Sequence, residues 1–157
     1  MRASADAVIV GGGIIGMAVA FHLSRAGYGR IVLVEKEPLP GAGSTSKAAG
    51  GIRAQFSTAV NIQMSMLSEK EFTNFKEVTG YDALFDRVGY MFLLEDDEDV
   101  EQFKKSYDLQ RLMGLDVELL KPEDIGRYAP HVSLNGIGIA TFCKEDGLGD
   151  PHEFLSG

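Results

Sequence analysis

The run Gly11-Gly12-Gly13-Ile14-Ile15-Gly16 constrains this chain more than any other feature, because it joins a short apolar segment, Asp6 to Val10, to a stretch of helical periodicity. A β-branched run that ends in glycine reads as a buried parallel strand. From Ile14 to Ala26 the residues Ile15, Val19, His22, Leu23 and Ala26 recur at helical spacing, Ala18 and Ala20 keep the helix thin, and Gly27 supplies the stop. A second apolar run, Ile31 to Val34, ends at Glu35 and completes a strand-helix-strand unit of the mononucleotide-binding kind. In such a unit Gly11 permits the tight turn, Gly13 lets a phosphate approach the backbone, and Gly16 allows helix and strand to pack closely. The helix start at Ile14 and Ile15 then offers free N–H groups and the positive end of the helix dipole to a diphosphate. Glu35 is placed to accept hydrogen bonds from the adenosine ribose, and its charge disfavours a 2′-phosphate. A glycine turn with a purely structural role is the bland alternative; the strand before, the helix after and the acid at the second strand's end favour dinucleotide binding.

With 157 residues, of which 45% are hydrophobic, the chain can build one sizeable core. A net charge of -8 argues against nucleic acid, which needs clustered Lys and Arg to displace counterions. The apolar run Ala7 to Val10 is too short for a signal peptide and breaks at glycines, and no stretch is long enough to span a bilayer. One cysteine, Cys143, excludes an intrachain disulfide. These features read as a cytoplasmic protein, with an organelle matrix as the other fitting compartment.

Residues 36–51 form a loop rich in Gly, Ser, Thr and Pro, after which Val60, Met64, Leu67, Phe72, Phe75 and Val78 approximate one helical stripe ended by Gly80. Val88 to Leu94 reads as a strand, and the acids Glu95 to Asp99 suit the start of a helix carrying Val100, Phe103 and Tyr107, where a solvated cap is favoured over metal binding. Asp116 to Leu120 and Gly136 to Cys143 read as strands, with a short helix, Pro122 to Tyr128, between them. Asp150, Pro151 and Glu153 mark a helix start. No second β-α-β unit follows Glu35, so the chain reads as truncated.

Gly11 to Gly16 with Glu35, followed by Gly43-Ser44-Thr45-Ser46-Lys47-Ala48-Ala49-Gly50-Gly51-Ile52-Arg53, resembles the FAD-dependent amine and amino-acid oxidoreductases of the D-amino-acid oxidase superfamily. Within it the likeness is to the sarcosine oxidase β-subunit and dimethylglycine dehydrogenase types. Leu120-Lys121-Pro122-Glu123-Asp124 before Pro130, and Asp146-Gly147 before Asp150-Pro151, also look like that family. The resemblance implies an α/β fold: a Rossmann-type FAD-binding domain over residues 1–82, part of a β-rich α+β substrate domain over 83–144, and the start of a return to the FAD domain over 145–157. It implies FAD contacts from Gly11, Gly13, Ile14, Ile15, Gly16, Glu35, Lys36, Gly43, Ser44, Thr45, Ser46, Gly50 and Gly51. Arg53 would lie near the flavin or a substrate carboxylate; a surface salt bridge is its bland alternative.

The implied reaction is hydride transfer to flavin from the carbon beside an amine, on a small amino acid or N-methylated amine, with O2 or another electron acceptor. Some relatives hold flavin covalently through His or Cys, but His22, His131, His152 and Cys143 are isolated residues for which ordinary structural roles are favoured. Two other readings stay open: an NAD-dependent dehydrogenase, and a cofactor-binding module that depends on a partner subunit or on a second copy of itself.

Overall fold

A computed structural model describes residues 4–157. The chain divides into two compact units: residues up to Gly50 with Phe75–Leu84 and Gly149–Gly157, and a second made of Gly51–Asn74 and Phe85–Leu148. The α/β fold class expected from the sequence is present.

In the first unit, strand β1 (Ala7–Val10) pairs in parallel with β2 (Ile31–Val34), Ala7 opposite Ile31 and Val10 opposite Val34. Helix α1 (Ile14–Arg25) connects them, as a parallel pair requires. Its end is a double-bonded glycine cap: Gly27 at φ +68° donates its N–H to Ser24 and Tyr28 donates to Leu23, satisfying carbonyls that the helix leaves open. The loop after β2 contains one 3-10 turn (Thr45–Lys47).

Strand β3 (Gly51–Ile52) opens the second unit, followed by α2 (Ala59–Thr73). The single apolar stripe expected through Val78 is interrupted at Asn74, which caps α2 with its N–H still bonded to Lys70 O. A separate short helix, α3 (Phe75–Thr79), follows and belongs to the first unit. Strand β4 starts later than expected, at Tyr90 (Tyr90–Leu94), because Gly89 at φ +82° turns the chain and Val88 N–H is spent locally on Asp86 O.

Helix α4 (Asp97–Leu112) carries Asp97, Glu98 and Asp99 in its first turn, so the acidic run is a helix start. β5 (Val117–Leu120), α5 (Pro122–Ile125) and β6 (Ile139–Cys143) follow, α5 being shorter than the seven-residue reading because Gly126 caps it. β6 is the centre of an antiparallel sheet ordered β4-β6-β5. β7 (Gly147–Leu148) pairs antiparallel with β3. Last, α6 (Pro151–Ser156) begins as expected, with Asp150 accepting the His152 N–H at 2.8 Å, and packs in the first unit.

The second unit holds two apolar clusters: Ala54, Leu115, Val117 and Cys143 with Met66 and Tyr107, and Leu120, Ile125, Ala140 and Phe142 with Met91, Ala129 and Ile137. Fully buried Ile125 and Val117 each contribute about 1.5–3 kcal/mol. In the first unit, Val8, Val10, Ile15 and Val34 leave much of their apolar surface exposed. No described helix is long and apolar enough to cross a membrane.

Candidate dinucleotide site

The site grows from the turn between β1 and α1. Gly11 leaves the strand at φ +107°, a conformation that side chains resist, with its N–H bonded to Val34 O at 2.8 Å. A Cβ on Gly16 would overlap the Gly11 carbonyl oxygen, so close packing of helix on turn requires glycine there. Gly13 is the residue before α1, and a Cβ on it would meet Thr45 Oγ1 at 3.2 Å.

That hydroxyl has a second role. Thr45, buried, accepts the Ile14 N–H at 3.0 Å and so caps the first turn of α1 from a loop far along the chain. The loop is tied to the turn again by Gly41 N–H, which donates to Gly12 O at 2.9 Å, and Ser46 N–H returns to Gly41 O. No acid lies in the first turn of α1, whereas α4 has three; only the former start is electrostatically open to an anion.

Glu35 stands just past β2. Its Oε2 accepts the Gly12 N–H at 2.6 Å and its Oε1 the Glu37 N–H at 2.9 Å. These two bonds, Glu37 first, hold its carboxyl below the usual carboxylate range. Each oxygen keeps a lone pair for a further donor, which suits a diol.

The structure thus brings together Gly11, Gly13, Ile14, Gly16, Glu35 and Thr45. Ile15 points its side chain mostly into solvent. Lys36 is exposed and pairs with Glu37. Gly43 and Ser44 are exposed, and the Ser46 hydroxyl donates to Ala42 O and Gly43 O within the turn. Gly50, at φ +78°, has a backbone role: a Cβ would overlap Gly149 O, and Gly149 N–H donates to Gly50 O at 2.9 Å.

Gly51 and Arg53 belong to the second unit. Gly51 pairs with Leu148 in β3–β7. Arg53 is half-buried, its guanidinium 5.3 Å from the Phe56 ring and 5.5 Å from the rings of Tyr90 and Phe92, and its Nε is buried without a partner. Among the described residues Arg53 makes no ion pair. Sequence reading missed this aromatic bed, although Tyr90 and Phe92, two apart on a strand, necessarily share a face. It also missed the cap that Thr45 provides, for which no local pattern exists.

His22, His131 and His152 are exposed, and Cys143 is buried with its thiol pushed up by burial first and by Asp146 second. No group of three or more metal-ligating side chains lies together among the described residues.

The family model described as DAO, FAD dependent oxidoreductase, matches residues 6–157. The chain is 36% identical to FAD-dependent oxidoreductase domain-containing protein 1 of Xenopus laevis over 97% of its own length and 32% of that protein. It is 32% identical to mitochondrial dimethylglycine dehydrogenase of Rattus norvegicus over 94% of its length and 17% of that protein. Among solved structures, L-proline dehydrogenase from P. horikoshii superposes with a TM-score of 0.90 at 31% identity, covering 99% of this chain and 41% of that one. The chain therefore spans a third or less of the curated relatives described.

Proposed function

The chain belongs to the DAO family of FAD dependent oxidoreductases, and from that premise we propose that it supplies the FAD-binding part of an enzyme that oxidises a C–N bond. The substrate we propose is a small amino acid or N-methylated amine of the sarcosine or dimethylglycine kind; L-proline dehydrogenase and dimethylglycine dehydrogenase, both similar to this chain, carry names consistent with that class. Residues 1–82 are the FAD-binding stretch of this reading, 83–144 part of the substrate domain, and 145–157 the return.

The observation that carries the reading is the convergence of three things on one turn: the glycines Gly11, Gly13 and Gly16, an acid-free helix start, and a carboxylate on the Gly12 amide. The fit is good. Gly13 leaves bare backbone where a phosphate would approach, and Glu35 carries free lone pairs for the ribose hydroxyls. Ile15 and Gly16 would present backbone N–H groups to the diphosphate and Ser44 a hydroxyl, while Ile14, Thr45 and Ser46 would reach it by exchanging the bonds they make within the turn. When bound, FAD supplies a two-electron acceptor for hydride from the carbon beside an amine.

Arg53 is the one residue we assign to the reacting end. Lying on aromatic rings with an unspent Nε donor, it would hold a substrate carboxylate in two-point fashion or balance negative charge gained on reduction. A partner subunit, a second copy and an electron acceptor such as O2 are part of the same proposal. So is a cytoplasmic or organelle-matrix location.

The test is the visible absorbance of the purified chain with and without added FAD, repeated with Glu35→Ala and Gly13→Val. Flavin bands retained by the wild type and lost in both variants are expected. A folded wild-type chain that binds NAD and ignores FAD would overturn the assignment in favour of the dehydrogenase reading.

A further inference from the structure

Glu69, on α2, is 8% exposed, and its Oε1 is buried with no hydrogen-bond partner while it remains a carboxylate. Such a group is costly unless a proton or a donor relieves it. Its side chain meets that of Asp146, which is wholly buried. Asp146 already serves two donors: Oδ1 accepts the Ala54 N–H at 3.1 Å and Oδ2 accepts Gln55 Nε2 at 3.0 Å, and a proton placed on it would weaken both bonds. Burial, and the charge and side chain of Asp146 beside it, favour the protonated form of Glu69, so the proton between the two side chains sits on Glu69.

The Asp146 carboxylate is a clamp. It grips residues 54 and 55, and the second amide hydrogen of Gln55 goes to Tyr90 O at 2.9 Å. Arg53 and Phe56 flank the clamped pair, and Tyr90 is one of the rings beneath the Arg53 guanidinium. The clamp therefore sets the backbone on which Arg53 is carried and one wall of the bed on which it lies.

We propose that Glu69 is a positioning residue for Arg53: the proton it donates to Asp146 keeps the clamp on Ala54 and Gln55 closed, and the clamp places the guanidinium.

The surroundings give this proton a titration. Burial, then the charge of Asp146 and the bond between the two side chains, push the Glu69 carboxyl up to about 8. Arg87 acts in the other direction, but its guanidinium is ion-paired with Glu145. Cys143, the remaining titratable group beside the pair, is a buried thiol pushed upward and so stays uncharged. Glu69 also lines an open cleft of about 380 Å³ with Lys70, Arg87, Asp116 and Glu145, in which Asp116 is held by Arg111 and Lys144. The cleft brings solvent up to Glu69, while Asp146 stays wholly buried behind it. Because the folded value lies above the ordinary 4.5, the stabilisation from the shared proton is complete below 4.5 and is lost as the pH rises through about 8.

The proposal rests on the reading of Arg53 given above only for its significance, and its test needs no flavin. The isotope-labelled 157-residue chain is titrated by NMR from about pH 6 to about pH 10, bracketing the Glu69 value of about 8. The Ala54 amide proton reports the clamp and Arg53 Cζ, assigned with Arg53→Lys, reports the guanidinium. In the wild type both are expected to move together with one midpoint near that of Glu69. In Glu69→Gln, whose amide donates to Asp146 at every pH, both should hold their low-pH positions.

Signals that fail to titrate in the wild type, or that titrate equally in the Gln variant, overturn the proposal. Should Glu69→Gln not fold, the side-chain carboxyl carbon of Glu69 in the wild type decides: a midpoint at the ordinary 4.5 overturns it, and one raised by several units together with Ala54 and Arg53 supports it. A chain that passes this test and binds no FAD would sink the flavin reading and leave the clamp standing.

Discussion

The carboxylate of Glu35 accepts the backbone N–H of Gly12 at 2.6 Å, so the acid at the end of β2 and the glycine turn at the end of β1 are a single hydrogen-bonded object. The bond aligns the two features that an adenosine diphosphate would meet, the ribose acceptor and the phosphate turn, before any ligand arrives.

Glu35→Gln keeps the shape of the side chain but trades one acceptor for an amide donor. The expected result is ADP binding weakened by about tenfold, measured by isothermal titration calorimetry. Since the Glu35 carboxyl is held below its ordinary range, its contribution to stability is present above the unfolded value near 4.5 and fades as the pH falls through the lower folded value. Urea melts in this acid range should therefore show a weaker pH dependence for Glu35→Gln than for the wild type.

Gly16→Val forces a Cβ onto the Gly11 carbonyl, and α1 can only retreat from β1. Overpacking of this kind costs about 1–3 kcal/mol, to be read as a lower midpoint in chemical denaturation. A variant as stable as the wild type would mean that the helix does not need this approach.

Thr45→Val removes one hydroxyl and almost no volume. The Ile14 N–H then loses its 3.0 Å acceptor, and a stability loss of about 1 kcal/mol is expected in equilibrium urea melts. Thr45→Ser, which keeps the oxygen, should recover most of it.

Arg53→Lys retains charge but not the flat guanidinium that lies on Phe56, Tyr90 and Phe92. With FAD bound, a small carboxylate such as acetate should perturb the flavin absorbance of the wild type at concentrations at least about tenfold lower than it does in Arg53→Lys, about 1.4 kcal/mol of binding. Equal sensitivity of the two would remove Arg53 from the reacting end.

The β1-α1-β2 unit was legible because every signal in it is local: a β-branched run, a glycine turn, helical spacing, an acid at the strand end. The stripe from Val60 to Val78 misled for the same reason. Apolar residues kept their period across Asn74, and periodicity does not register a cap that breaks a helix in two. The two-residue strands β3 and β7 are too short to show any alternation, and each is defined only by a partner at the other end of the unit. The union of Glu69 with Asp146 was invisible for a related cause: each is a lone acid in its own stretch, and their meeting is a product of the fold. Arg53 was found through family likeness, yet its setting of three rings was not, since Phe56 reaches it from the loop and Tyr90 and Phe92 from β4.

The bond from Ala54 N–H to Asp146 Oδ1 spans 92 residues. Ordering such a long loop must precede the reward of closing it, and folds dominated by distant pairings form slowly. During synthesis α1 and the glycine turn can settle early on local contacts, while the Ala54 N–H and one Gln55 amide hydrogen wait for Asp146 to leave the ribosome. The second unit is thus completed late, and a nascent chain halted before Asp146 would carry Arg53 with its three rings already made but with the neighbouring Ala54–Gln55 segment not yet clamped.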